Sequence, residues 1–168
     1  MAAGGLKSTG NMTVIQSGPT TVKSGIVPED RPIDMAQAHW DRMRGARLMP
    51  SRTDLDPVHI PRLLPLTILV EVLRDPLDFR YRLLGTEIDR IVKANYRGRC
   101  FSDLEHIETG GRLWSDHERV VLTRAPVRSS VEYVGHDQFI RTLGHGLFPL
   151  SNDGENVHMI WAVAEIGR

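Results

Sequence analysis

Three prolines spaced four apart, Pro57, Pro61 and Pro65, divide this chain into two parts with different hydrophobic periods. Proline removes a backbone donor and clashes with the preceding helical turn, so no long helix can run through this stretch. Asp56-Pro57 makes a good helix start, with a capping carboxylate and proline at the first helical position. Pro61 then limits that helix to a turn or two. Residues 51–65 therefore read as a rigid, punctuated connector. Before it, Ala36, Trp40, Met43 and Arg47 recur at helical spacing from about Ile33. Asp34 is the candidate N-cap of this helix, and Gly45 and Pro50 are its stops.

After Pro65 the period becomes that of strands. Thr67–Val72 and Phe79–Leu84 flank the turn Asp75-Pro76-Leu77-Asp78. In the second strand Phe79, Tyr81 and Leu83 share one face and Arg80 and Arg82 the other, with Glu71 placed to pair with an arginine across the sheet. Thr86 is expected to open a short helix through Ile88, Ile91 and Val92, and Ser102-x-x-Glu105 has the form of a capping box. Gly111–Thr123 is the strongest helix candidate, with Leu113, Trp114, Val120 and Val121 on one apolar face and His117 within it. Three strand-like runs follow: Val127–Tyr133, Gln138–Leu150 and Val157–Ile166. Asp153-Gly154 is the strongest short turn signal between them. Two groups of strands separated by helices predict an α+β fold. Its expected form is a five-stranded antiparallel sheet with helices gathered on one face, plus the N-terminal helix.

A chain of 168 residues accommodates one such domain and a tail. Residues 1–32, rich in Gly, Ser, Thr and Pro and poor in apolar periodicity, are expected to form a flexible arm. Residues 33–168 are expected to form the domain. Lys+Arg and Asp+Glu both number 21, and this balance argues against nucleic acid or an acidic membrane surface as the main partner. The lone Cys100 excludes an internal disulfide framework and a Cys-based zinc cluster. No apolar run approaches the roughly 20 residues that span a bilayer. A cytoplasmic domain is the expectation.

Among the seven histidines no pair has metal-ligand spacing on one helix. His117 and His145 are the most interesting, and a core histidine donating to a carbonyl is the commoner role. Alternation and helical spacing place Trp114, His117, Tyr133, His145, Met159 and Trp161 as candidate walls of a small-molecule pocket. The plainer reading is that they pack as core. Asp54 and Asp56 resemble a carboxylate pair but are explained as turn and cap residues. Gly110-Gly111-Arg112 could hold an anion, although its spacing is not that of a phosphate loop. Trp40 and Met43, on an amphipathic helix before the first strand, are the candidate dimer contacts.

The order of elements resembles a PAS domain. The resemblance extends to a group of small bacterial PAS proteins. It is carried by Trp40, Arg47, Pro50-Ser51-Arg52, Asp54-Leu55-Asp56-Pro57, Ile60-Pro61 and Leu63-Leu64-Pro65. Phe79-Arg80-Tyr81-Arg82-Leu83, Gly85-Thr86, Gly98-Arg99 and Pro149-Leu150-Ser151 continue it. The match runs over about residues 35–165. It implies a non-catalytic sensory or regulatory module that binds a small ligand between sheet and helices, or a signalling protein partner; the amphipathic helix before the first strand and the absence of net charge add the expectation of a homodimer. It specifies neither haem nor flavin, and Cys100 lacks the Asn-Cys-Arg-Phe context of light-sensing relatives. The competing expectation is a small cone-like α+β enzyme using His117 or His145 with an aspartate as general acid–base.

Overall fold

The computed structural model describes residues 30–133 and 135–167. The proposed arm falls almost wholly on residues 1–29, outside the described residues. Five antiparallel strands form one sheet: β1 (Thr67–Leu73), β2 (Asp78–Leu84), β3 (Val127–Glu132), β4 (Thr142–Leu150) and β5 (Met159–Gly167). Their spatial order is β2-β1-β5-β4-β3. Among the described residues three α-helices accompany the sheet: α1 (Pro32–Arg44), α2 (Thr86–Ile91) and α3 (Arg112–Thr123).

The two faces of the sheet have different covers. Alternation along β4 decides which residue sees which. Leu143, His145 and Leu147 face the side of α2 and α3, and Gly144, Gly146 and Phe148 face α1. The glycines are needed there. A Cβ on Gly146 would lie 2.8 Å from the Phe148 ring and 2.9 Å from Ile33, so the bare strand is the seat on which the first turn of α1 rests. Further along α1, the buried Trp40 indole donates to the carbonyl of Pro149 at 2.9 Å. His39 packs edge-on against Trp161, with ring centroids 6.0 Å apart.

The local signals behave unevenly. Gly45 ends α1 in a positive-φ conformation that favours glycine, as its position predicts. Asp56 caps the turn at Pro57–His59 by accepting from the Val58 amide at 2.9 Å. Asp54 accepts from the Ser51 amide, the Ser51 hydroxyl and Arg47, and these bonds, the amide first, hold its carboxyl below the usual carboxylate range. Both aspartates are thus structural, as turn and cap. Glu71 does pair with Arg80 across β1 and β2, at 2.7 Å. Three caps differ from expectation. Arg31, not Asp34, is the N-cap of α1, and Asp34 instead pairs with Arg128 of β3. Gly85 occupies the cap of α2, because the chain passes so close to Leu64 and Pro65 that a Cβ there would sit 2.3 Å from the Leu64 carbonyl oxygen. Ser102 lies inside a 3₁₀ turn, Phe101–Asp103, and its hydroxyl donates to Asp78.

Candidate functional site

A cavity of about 360 Å³ lies between the sheet and the α2–α3 side. Its floor is strand residues: Ile68 of β1, Tyr81 and Leu84 of β2, Ala162 and Ala164 of β5, and Leu143, His145 and Leu147 of β4. Its other walls come from Ile88, Val92, Tyr96, Ile107, Leu113, His117 and Tyr133. The small side chains of β5 leave the space, because Ala162 and Ala164 sit where a larger residue would meet the helices.

Two buried histidines stand near one another on these walls, and Glu105, His106, Glu108, Arg112 and Glu132 also line the cavity. His117 is fully enclosed on α3, and its Nδ1 lies 2.8 Å from the carbonyl oxygen of Leu113. A carbonyl only accepts, so Nδ1 carries the hydrogen and Nε2 is left with a lone pair. Burial pushes the His117 imidazolium pKa down to about 4, so the ring is neutral near pH 7. His145, on β4, places its Nε2 3.2 Å from Oδ2 of Asp116. Burial also lowers its pKa, against the opposing pull of Asp116. Asp116 is itself 1% exposed, and its other carboxylate oxygen has no hydrogen-bond partner among the described residues. The two imidazole centroids are 6.4 Å apart.

Of the six residues expected to wall a pocket, the structure brings together His117, Tyr133 and His145. Trp114 stays on the same side but packs into the aromatic core with Phe79 at 5.3 Å and Phe101 at 6.5 Å. Trp161 and Met159 lie on the other face of the sheet. Trp161 pairs in register with Phe148, packs on it at 5.4 Å and donates to the Thr67 hydroxyl. Met159 shares its face two residues earlier, opposite Leu150 and Glu71. Tyr133 contributes only its ring. Its hydroxyl is occupied, donating to the Ile91 carbonyl and accepting from the Asp137 amide. Trp40, expected at a surface between copies, is 3% exposed within the protomer, because its indole fits under the chain at Pro149. Met43 is half-buried on the same helix.

Asp116 is the functional candidate that sequence reasoning passed over. A signal for it existed: it lies three residues after Leu113 and four before Val120, on the stripe that already held His117. No group of three or more His, Cys, Asp or Glu residues fit to hold a metal ion occurs among the described residues. Cys100 is half-buried and free, and burial raises its thiol pKa, which keeps it protonated.

Comparison with curated proteins returned no match, and neither did comparison with solved structures. One family model does match, over residues 29–161, and its description is PAS domain. The match covers α1, the connector, every helix and four of the five strands in full, together with the start of β5. By this match, and by the antiparallel sheet that carries it, the chain belongs to the PAS domain family.

Proposed function

We propose that this chain is a sensor whose cavity between the sheet and α2–α3 binds a small, mainly apolar molecule. Its family makes it a module of the sensory and regulatory class. The observation that supports ligand binding is the cavity itself. It is lined mainly by aliphatic and aromatic side chains, with the buried His117 and His145 among them and with Glu105, His106, Glu108, Arg112 and Glu132 also on its walls. Such a make-up, apolar walls with a few placed polar groups, is that of a small-molecule site, and its volume lies at the small end of the range for such pockets. The signal passes onward by contact with a second copy of the chain or with a signalling protein. Met43 and the outer edge of α1 form the surface for that contact, and the domain works in the cytoplasm without catalysis of its own. Among the described residues no helix is long and apolar enough to cross a membrane.

Native mass spectrometry of the purified protein tests the reading. A retained small molecule, lost in Ala164→Leu, is the expected result. An empty wild-type protein whose stability no small apolar compound raises would overturn it.

A second reading is favoured by one observation, the His145–Asp116 pair beside His117, which is an arrangement that general acid–base catalysis also uses. Turnover of a bound compound by the wild type and not by His145→Gln would establish it over the sensor.

A further inference from the structure

We propose that the cavity selects ligands that present a hydrogen-bond donor, a hydroxyl or an N–H, to the paired imidazoles of His117 and His145. This inference rests on the reading of the cavity as a ligand site and specifies the chemistry it accepts. Each ring has one nitrogen committed within the protein. His117 Nδ1 donates to the Leu113 carbonyl, and His145 Nε2 donates to the Asp116 carboxylate. Each neutral ring is thereby locked into one tautomer, with its remaining nitrogen an acceptor. Neither of those nitrogens, His117 Nε2 and His145 Nδ1, has a hydrogen-bond partner among the described residues. The two imidazoles thus each present an acceptor to the cavity, whose lining elsewhere also carries donors, the Arg112 guanidinium and the Tyr81 and Tyr96 hydroxyls. The Tyr133 hydroxyl, which could otherwise have donated, is spent on Ile91. A bound molecule that offers only apolar surface to the two ring nitrogens leaves them without a partner, and one that turns a lone pair toward them is repelled there.

The test compares size-matched pairs that differ only in the donor: phenol with toluene, cyclohexanol with methylcyclohexane, and indole with indene. Binding is read by calorimetry and by nitrogen-15 shifts of the histidine rings in the wild-type protein. The donor-bearing member is expected to bind roughly ten-fold tighter or more, against its lower hydrophobicity. It should also shift the ring nitrogen of His117 or His145 that has no proton. In His117→Leu the preference shrinks toward unity while the apolar member still binds. Equal binding of both members, or saturation by phenol with no change at either ring nitrogen, overturns the donor rule and leaves the cavity reading standing. Failure of every compound to bind removes the cavity reading and this inference with it. The ring-nitrogen measurement decides the matter even if the variant does not fold.

Discussion

His145 and Asp116 meet across two layers of the fold. The histidine stands on β4 and the aspartate on α3, with 3.2 Å between Nε2 and Oδ2. Both are nine-tenths buried or more. The pair therefore ties the helix to the sheet beside the cavity, and it fixes which nitrogen of His145 carries the proton. Asp116→Ala leaves a buried N–H without an acceptor and is expected to cost about 1–3 kcal/mol. Urea denaturation of Asp116→Ala, His145→Ala and the double variant measures it. The double variant should lose clearly less than the sum of the two single losses.

Acid should weaken this domain before the carboxylates titrate. His117 titrates at about 4 in the fold, against 6.5 for the free side chain, so the unfolded chain takes up its proton first as pH falls. Its contribution is complete above about pH 6.5 and is lost progressively between pH 6.5 and pH 4, with a total on the order of 3 kcal/mol. His145 is shifted the same way by burial and adds to the loss. Asp54 and Asp153 are held below the ordinary carboxylate range, so their losses come only at lower pH. Urea midpoints across this window should fall steeply in wild type and less so in His117→Leu. A flat profile would contradict the assignment of a neutral His117.

Trp40 is buried within its own chain. Trp40→Phe keeps much of the ring volume and loses only the bond to the Pro149 carbonyl, an expected cost of about 1 kcal/mol. Trp40→Ala also opens a cavity and should cost about 3–5 kcal/mol. Sedimentation of the phenylalanine variant should match wild type, because the indole is covered by its own chain. A change in self-association would place Trp40 at an interface after all.

The glycine seat of α1 can be tested by filling it. Gly146→Ala inserts a methyl within 3 Å of Ile33 and Phe148, an overpacking expected to cost about 1–3 kcal/mol despite alanine's better backbone entropy. Shortening Ile33 to alanine in the same protein should recover part of that loss, which thermal unfolding of the two variants reports.

Periodicity carried most of the architecture. The three helices, the five strands and the switch of period after Pro65 were all legible, because each element has a long enough apolar pattern. The parity of β5 was not. Both faces of the central sheet are covered, so Ile160-Trp161-Ala162-Val163-Ala164 is a continuous apolar run with no polar residue to mark a side. Alternation alone therefore puts Trp161 in the cavity, whereas it stands on the opposite face of the sheet. The caps failed for a different reason. A capping sequence is short, and Asp34, Thr86 and Ser102 each found a tertiary setting that outweighed it: an arginine on β3 for Asp34, a tight backbone crossing at Gly85 for Thr86, and Asp78 for Ser102. The His117–His145–Asp116 cluster joins two elements about thirty residues apart, a proximity that no local pattern encodes.

The alternation of β4 has a mechanical consequence. His145 hangs between Gly144 and Gly146, so the same stretch of backbone is both a wall of the cavity and the floor beneath Ile33. A strand is one residue thick and has no compressible interior. If an occupant of the cavity shifts the backbone at His145, the floor beneath Ile33 shifts with it, because Gly144 and Gly146 carry no side chains to absorb the movement. Under the proposed reading, ligand binding on one side of the sheet is expected to be reported by the seating of α1 on the other.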